Sequence, residues 1–307
     1  MNSNTYLNQA RLMLRILPYV ASENCFALKG GTAINFFVRE MPRISIDIDL
    51  TYLHLERWED SLKNIGEALH RIANEIKEKM HCTIQLVKKQ EKGVEFINKV
   101  VVKSGEGIVK IEPNIVFRGS VFPPEKRSLV KTAQDKFELS VTSNILSVPE
   151  LYAGKLCAAL DRQHPRDLFD VMILLKHEGI TEEILKAFVI YLAGHDRPIH
   201  ELLDPNSKDI RKEYESSFRG MTEMVLSCEN LMKCQRKLPG LIRDKLSNSE
   251  KEFLLSVNEG EPRWNLIDAQ GIESLPALRW KCQNIQKMEK EKRKKQLGKL
   301  KAALEKR

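Results

Sequence analysis

The sequence predicts an α+β protein in which a small mixed sheet flanked by helices is followed by a helical part. Three observations lead to this prediction. A long amphipathic helical pattern comes early, short β-branched segments fill residues 82–117, and helical patterns dominate from Ser147 onward. With 307 residues and 42% hydrophobic composition, the chain is long enough to bury a substantial core.

The first part is expected to alternate between helices and strands. Residues 1–20 form an amphipathic helical pattern, and no small-residue cleavage site follows it, so it is a poor signal peptide. Arg57–Met80 lacks proline and repeats apolar residues at helical spacing, which predicts one long helix. Four strands are then predicted, over residues 82–89, 94–103, 107–117 and 136–141.

The second part is expected to be helical. A first helix runs from Ser147 to about Arg162, a second from Pro165 to Gly179, and a third begins after Thr181. His164, directly before a proline, is interpreted as a helix-start residue rather than a metal ligand. We therefore predict a first domain over residues 1–146, a helical domain over 147–285 and a basic tail over 286–307.

The basic tail carries most of the net charge. It holds ten Lys or Arg and three Glu, a net +7 out of +8, so the rest of the chain is nearly neutral. Leu297, Leu300 and Leu304 recur at helical spacing, which predicts a charged helix. Two interpretations remain open, a solvated terminal helix and an electrostatic arm for RNA or an acidic partner protein.

Composition and motif searches exclude several classes. No uncharged stretch approaches the roughly 20 residues that span a bilayer, so we expect a soluble, cytoplasmic protein with no membrane contact. The six cysteines are scattered without a C-x-x-C pair, as in reduced intracellular proteins. The chain has neither G-x-x-x-x-G-K-[ST] nor G-x-G-x-x-G, which argues against a P-loop NTPase and a Rossmann dehydrogenase.

A glycine pair marks the first candidate site. Gly30, Gly31 and Thr32 precede the apolar run AINFFVRE, which has a helical pattern. Backbone N–H groups at a helix N-terminus attract anions, and glycine lets a phosphate approach the backbone closely. These three residues are therefore a candidate phosphate-binding loop.

Two aspartates follow the glycine pair. In RISIDID, residues 43–49, apolar and polar residues alternate, so the isoleucines are expected to face the core. The opposite face then carries Arg43, Ser45, Asp47 and Asp49. Carboxylates about 7 Å apart along a strand suit a hard cation such as Mg²⁺, although D-x-D alone is a short and common pattern. Its position after the glycine pair makes the combination more specific.

Glu112 is the best candidate for a third carboxylate. In IVKIEPNIV it lies opposite the apolar face formed by Val109 and Ile111. Two-metal phosphoryl transfer usually needs several acidic ligands, which favours such a role. The alternative is a strand-end glutamate that faces solvent.

A second candidate region is PELYAGKLCAALDRQHPRDLFDV, which begins at residue 149. Lys155 lies within an otherwise small and apolar helical segment, and Asp167 and Asp170 follow on the next helix. In a functional interpretation, Lys155 touches a triphosphate and Asp170 positions it or balances its charge. In a structural interpretation, Lys155 and these carboxylates form an interhelical salt bridge.

Together, GGTA, RISIDIDL and YAGKLCAALDRQHPRDLFDV resemble the AbiEii/AbiGii-type toxin nucleotidyltransferases of the DNA polymerase β-like superfamily. The resemblance covers roughly residues 25–178. It implies a polymerase-β-like nucleotidyltransferase domain followed by a helical domain. Such proteins are typically the toxic half of a bacterial toxin–antitoxin or phage-defence pair, and some transfer nucleotides to the 3′ end of tRNA.

The resemblance also implies roles for individual residues. Gly30–Thr32 match the glycine-rich nucleotide-binding loop, with Thr32 in place of the superfamily's serine. Asp47 and Asp49 match the metal-binding aspartates, and the same signature contains Arg43 and Ser45. Lys155 matches the essential lysine of the later motif. Its companion aspartate is expected to be Asp170, with Asp167 open as the alternative, and Glu112 is poorly marked in this family.

The sequence thus predicts a metal-dependent enzyme that transfers NMP from a nucleoside triphosphate to an acceptor hydroxyl, preferably at the 3′ end of tRNA. Two Mg²⁺ ions are expected, with Mn²⁺ as a substitute, and the resemblance implies a cognate antitoxin. Two alternatives remain, transfer to a protein or small-molecule hydroxyl, and a non-catalytic module that binds nucleotide or RNA.

Overall fold

The computed structural model describes residues 3–91 and 93–306. The chain divides into two compact units. The first contains the chain up to Ser147 together with Ser216–Met224, and the second contains Val148–Glu215 and the chain from Val225 onward. Residues 216–224 thus belong to the first unit although they follow helices of the second, and no sequence pattern predicted this.

The described part of the first unit contains the α-helices α1 (Ser3–Ala21), α2 (Gly30–Ala33), α3 (Trp58–Met80) and α4 (Lys131–Phe137). A π-helical turn, Ile34–Val38, continues α2 without a break. The long helix predicted for residues 57–80 is confirmed by α3. Its predicted apolar stripe, which includes Leu62, Ile65 and Leu69, is buried.

In the described residues, one mixed sheet contains seven strands: β1 (Phe26–Lys29), β2 (Ile48–Tyr52), β3 (Thr83–Glu91), β4 (Val94–Ser104), β5 (Gly107–Asn114), β6 (Glu125–Ser128) and β7 (Thr142–Ile145). Their order across the sheet is β3-β4-β5-β2-β1-β7-β6. The pairs β2–β5 and β1–β7 are parallel, and the others are antiparallel. This sheet confirms the predicted α+β class.

The central strands bring the candidate site residues into register. Lys29 of β1 pairs with Asp49 of β2, and Asp49 in turn pairs with Glu112 of β5. Paired residues on neighbouring strands project to the same face of a sheet. Helices α1 and α3 pack against the sheet and cover apolar side chains such as Val100 and Ile111, which are fully buried.

One predicted strand is wrong. Residues 136–141 contain the end of α4 and the chain that leads to β7, rather than a strand. Ala133 and Phe137 are one helical turn apart and both buried, so they form the buried face of α4. Glu138 then ends the helix in a left-handed conformation.

The second unit is helical, as predicted. Its helices are α5 (Val148–Asp161), α6 (Pro165–Lys176), α7 (Glu182–Ala193), α8 (Ile199–Leu203), α9 (Arg211–Ser217), α10 (Cys228–Lys245), α11 (Asn248–Glu259), α12 (Pro276–Gln286) and α13 (Lys290–Glu305). Helix α5 packs against α6 and α7. The predicted start of the third helix after Thr181 is confirmed, and Thr181 Oγ1 caps α7 by accepting a hydrogen bond from the backbone N–H of Ile184.

The basic tail forms the end of α12 and the helix α13, and its last residue, Arg307, lies outside the described residues. Leu300 and Leu304 are buried, and α13 packs against α8 and α11. The tail is therefore anchored on one side by apolar contacts. Its lysines remain on the exposed side.

Two further predictions concern membrane-spanning helices and the state of the cysteines. In the part of the chain that the structure describes, no helix is both long and apolar enough to cross a membrane. All six cysteines are free thiols, as their scattered positions predicted.

Candidate active site

Gly30 turns the chain from β1 into the helical segment. Its φ of 72° lies in the left-handed region, which glycine adopts far more readily than other residues. A Cβ at this position would come within 2.5 Å of Asp49 Oδ2. Glycine is therefore required both by the backbone turn and by the close approach of the Asp49 carboxylate.

Gly31 allows a second close approach. A Cβ on this residue would collide with the Arg43 guanidinium and come to 3.0 Å from Ser45 Oγ. Its carbonyl accepts a hydrogen bond from Asn35 Nδ2 at 2.9 Å. The glycine pair thus permits the loop before β2 to lie against the start of the helical segment.

The Thr32 hydroxyl connects the two predicted motifs. Thr32 Oγ1 lies 2.5 Å from the Asp47 carbonyl oxygen and 3.0 Å from Ser45 Oγ. A carbonyl oxygen only accepts, so the single hydroxyl proton of Thr32 is donated to Asp47 and its oxygen is available to Ser45. This network, with Thr32 1% exposed and Ser45 6% exposed, fixes the chain one residue before β2 begins.

The alternation predicted for residues 43–49 is only partly correct. β2 begins at Ile48, so the preceding residues have no strand partner. Arg43 and Ser45 are buried against Gly31 instead of lying on an open strand face, and Ile46 is half-buried instead of in the core. Residues 43–47 do not alternate as in a strand, because Arg43 and Ser45 pack against Gly31.

Seven of the predicted residues therefore meet in the first unit: Gly30, Gly31, Thr32, Arg43, Ser45, Asp47 and Asp49. Both aspartates are half-buried, at the point where the helical segment and the start of β2 adjoin. Asn35, four residues after Gly31, was not predicted as part of this site. The four-residue spacing on a helix was the only signal that could have indicated its contact.

Glu112 lies beside Asp49 in the sheet, as register partners on parallel strands. Its carboxylate forms an ion pair with the ammonium group of Lys99 on β4. Lys29 lies on the other side of Asp49. Four charged side chains therefore follow one another across the sheet, in the order Lys29, Asp49, Glu112 and Lys99. Neither lysine was predicted: Lys99 lies opposite Glu112 through the register of the β4–β5 hairpin, and Lys29 lies beside Asp49 through the pairing of β1 with β2.

The first unit offers oxygen donors of the kind that Mg²⁺ prefers, the carboxylates of Asp47 and Asp49. No group of three or more His, Cys, Asp or Glu side chains in residues 3–91 and 93–306 is placed to hold a metal ion by itself. Mg²⁺ at triphosphate sites usually takes only one or two carboxylates and completes its shell with phosphates and water. The residues therefore fit a metal ion that binds together with a nucleotide.

Lys155 and its predicted partners lie in the second unit, where they form a buried cluster. Lys155 Nζ lies 2.8 Å from Asp167 Oδ1 and 3.1 Å from Asp170 Oδ2. All three side chains are nearly inaccessible to solvent. Lys155 therefore contacts both candidate aspartates, in the geometry of an interhelical ion pair.

Arg162 is a fourth member of this cluster that the sequence did not indicate. Its guanidinium donates to Asp167 through Nε at 2.5 Å and Nη2 at 3.0 Å. Burial by itself would raise the pKa of Asp167. The charge of Lys155 and the hydrogen bonds from Arg162 outweigh burial and hold that pKa well below its ordinary value.

His164 begins α6, as predicted. Its Nδ1 accepts a hydrogen bond from the backbone N–H of Arg166 at 3.1 Å. Burial, followed by the nearby charge of Arg166, lowers the pKa of His164 to about 4. The imidazole is therefore neutral at pH 7, as an accepting Nδ1 requires.

Comparison with known proteins identifies the family of the chain. Residues 11–240 match the family described as "Nucleotidyl transferase AbiEii toxin, Type IV TA system". No curated protein sequence matches the chain significantly.

Among solved structures, the chain is similar to MenT4, a nucleotidyltransferase toxin from Mycobacterium tuberculosis H37Rv. The TM-score is 0.62 at 15% identity, over 99% of this chain and 95% of that chain. At this identity the similarity supports the fold, and the family match extends over most of the chain. The chain therefore belongs to the AbiEii nucleotidyltransferase toxin family.

Proposed function

We propose that this nucleotidyltransferase toxin is metal-dependent and transfers NMP from a nucleoside triphosphate to the 3′ end of tRNA, which blocks translation. One observation carries the catalytic part of the proposal. The glycine pair and the Asp47–Asp49 pair, which a helical segment and a loop separate along the chain, are packed directly against each other.

In the proposed mechanism, Asp47 and Asp49 hold Mg²⁺, and Mn²⁺ is able to substitute for it. When bound, the metal neutralises triphosphate charge and lowers the pKa of the attacking hydroxyl. Glu112, next to Asp49, is proposed to assist with a second ion. That role requires its carboxylate to leave the contact with Lys99.

The chain's own residues position the nucleotide. The half-buried backbone of Gly30 is proposed to contact phosphate oxygens, whereas Gly31 is buried and lets Arg43 and Ser45 pack against the helical segment. The buried Thr32 hydroxyl keeps this segment close to Asp47. Arg43 and Ser45 line the same loop and offer polar hydrogen-bond donors. An acceptor hydroxyl then attacks the α-phosphorus, its proton passes to solvent, and the bond to pyrophosphate breaks.

Lys155 and Asp170 are proposed to support this reaction from the second unit. In this proposal the ammonium group of Lys155 offsets negative charge on the departing pyrophosphate, and the aspartate orients the lysine. The observed ion pairs support the orienting part of the proposal, because Lys155 is held by two carboxylates. An exclusively structural role for Lys155 is the outcome that would contradict it.

The proposed acceptor accounts for the toxicity that the family name describes, since a tRNA with an altered 3′ end cannot be aminoacylated. We further propose that a cognate antitoxin restrains the enzyme and that the pair acts in phage defence. Transfer to a protein or a small molecule, and nucleotide binding without transfer, are alternative outcomes of the test below.

The test incubates purified protein with Mg²⁺, total bacterial tRNA and each α-³²P-labelled nucleoside triphosphate in turn. We expect label on tRNA with at least one nucleotide, and none with the folded Asp49→Ala variant. Label on a protein band after addition of lysate would assign a different acceptor class and leave the metal site intact. No label on RNA, protein or small molecules would contradict a transferase.

A further inference from the structure

Residues 216–224 form a short strap on the first unit, although the chain on either side belongs to the second unit. Two of its apolar side chains, Phe218 and Met221, are 1% and 2% exposed. A backbone hydrogen bond from Met221 N–H to the Phe218 carbonyl closes a turn within the strap. The strap is thus a packed element of the first unit rather than a loose connection.

The strap makes two hydrogen bonds to the loop that precedes the aspartates. The Ile44 N–H donates to the Met221 carbonyl oxygen at 2.7 Å, and the Thr222 hydroxyl donates to the Pro42 carbonyl oxygen at 2.7 Å. Both bonds join residues about 180 positions apart in the chain. They flank Arg43, whose side chain lies against Gly31.

The loop needs such external support. Residues 39–47, all of which the structure describes, belong to neither a helix nor a strand. Met41 has a φ of 51°, a left-handed conformation that is unfavourable for methionine. A loop that contains this strain keeps one conformation only when its surroundings fix it. The strap supplies hydrogen-bond partners for the loop backbone, the Met221 carbonyl and the Thr222 hydroxyl, where a neighbouring strand would otherwise supply them.

We propose that Thr222 is a positioning residue for the nucleotide site, acting through the backbone of Pro42–Ile44 to hold Arg43 and Ser45 against the glycine pair. The proposed role is indirect, through the loop backbone, and requires no contact between Thr222 and the nucleotide. The effect on nucleotide affinity rests on the function proposed above, whereas the effect on the loop does not. The strap would thus link a segment of the helical half of the sequence to the order of the phosphate loop.

The Thr222 hydroxyl forms two hydrogen bonds, so a substitution that removes the hydroxyl tests the proposal. It donates to the Pro42 carbonyl and accepts from the Met224 N–H at 3.1 Å. Thr222→Val keeps the shape and removes both hydrogen bonds, whereas Thr222→Ser retains the hydroxyl. Glu223→Gln is a matched control in the same segment, because it weakens only the surface ion pair with Lys136.

The first readout is hydrogen exchange of the peptide that contains Ile44. We expect Thr222→Val to accelerate its exchange by about three- to tenfold, the factor that one net hydrogen bond represents. Exchange in α3 should not change, and Thr222→Ser and Glu223→Gln should behave like the wild type. Unchanged exchange in Thr222→Val, or equal acceleration with Thr222→Ser, would overturn the proposal.

The second readout is the affinity for a fluorescent nucleoside triphosphate in Mg²⁺. We expect Thr222→Val to bind at least about threefold more weakly at a temperature where it is fully folded, with recovery in Thr222→Ser. Wild-type affinity in Thr222→Val would overturn the positioning role. If the wild type bound no nucleotide while the exchange result held, the proposed function would fail and the strap's action on the loop would stand.

Discussion

The backbone of Gly30 lies against the carboxylate of Asp49, so closely that a methyl group on the glycine would come within 2.5 Å of Asp49 Oδ2. This contact joins two motifs that a helical segment and a loop separate along the chain. A substitution of Gly30 therefore tests whether the site requires this close contact. A side chain there would displace the carboxylate that the proposed mechanism uses.

Gly30→Ala should lower nucleotidyl transfer by about a hundredfold, the loss that a displacement of about 1 Å causes at a catalytic group. It should also cost about 1–2 kcal/mol of stability, because alanine is unfavourable at a φ of 72°. Gly66→Ala in α3 is the control, since nothing lies within 4 Å of its added methyl group. That control should be slightly stabilised and fully active. Comparable activity in the two variants would contradict the close contact.

Lys155→Met should lower the free energy of unfolding by about 3–5 kcal/mol, because it removes the cation that Asp167 and Asp170 share in a buried site. Arg162→Met should have a smaller effect, since the Arg162 side chain is 63% exposed. Denaturant unfolding of both variants measures the difference.

The same Lys155 variant distinguishes the two roles of the lysine. Transfer is measured at a temperature where Lys155→Met remains folded. The proposed role in charge compensation predicts a loss of at least about tenfold in the rate per folded molecule. A wild-type rate per folded molecule would assign Lys155 to the structural ion pair alone.

His164 predicts a defined pH dependence of stability. Its folded-state pKa of about 4 is below the unfolded value of 6.5, so the unfolded chain binds more protons between these values. Stability should therefore rise as pH increases from about 4 to 6.5. His164→Asn, which keeps a capping side chain without titrating, should flatten this rise.

The flattening should be partial, because burial also lowers the pKa of His195 and His200. Chemical denaturation at several pH values across this range measures the slopes for wild type and variant. Parallel curves for the two proteins would show that His164 does not carry the effect.

The exposed lysines of α13 predict a salt-dependent affinity for tRNA. Lys292, Lys295 and Lys299 lie along one exposed side of the helix. Reversing all three to glutamate should weaken tRNA binding and flatten its dependence on salt concentration, by about one unit of slope for each phosphate that the helix no longer neutralises. Deletion of the tail is a poorer test, since it also removes the buried Leu300 and Leu304.

A matched control reverses three exposed lysines of the first unit, Lys77, Lys79 and Lys110. This control should change the slope less than the α13 variant does. Equal slopes for wild type and the α13 variant would identify α13 as a solvated helix rather than an RNA-binding surface.

The sequence predicted most of the fold because the relevant patterns are local. The period of α3, the β-branched strands and the helix start at Thr181 each depend on a few neighbouring residues. The failures have a different origin. The segment 136–141 was misassigned because Phe137, Leu139 and Val141 alternate with polar residues at the period of a strand, although Phe137 belongs to the last turn of α4.

The candidate site was predictable to the extent that its residues are close in sequence. Gly30–Thr32 and Asp47–Asp49 meet as their motifs indicated. The Lys99–Glu112 ion pair depends on the register of the β4–β5 hairpin, which the predicted strand limits did not fix. The hydrogen bond of Thr222 with Pro42 has no signal in a single sequence, because tertiary packing alone brings these distant residues together.

The central claim is that Asp47 and Asp49 form the catalytic centre of a metal-dependent nucleotidyltransferase. The most direct measurement compares Mg²⁺-dependent transfer by the wild type with that of Asp47→Asn and Asp49→Asn, each verified by thermal unfolding to be folded. We predict that either substitution lowers the rate by at least about a thousandfold, because several kcal/mol of charge stabilisation disappear. A folded Asp49→Asn variant with the wild-type rate would contradict this account.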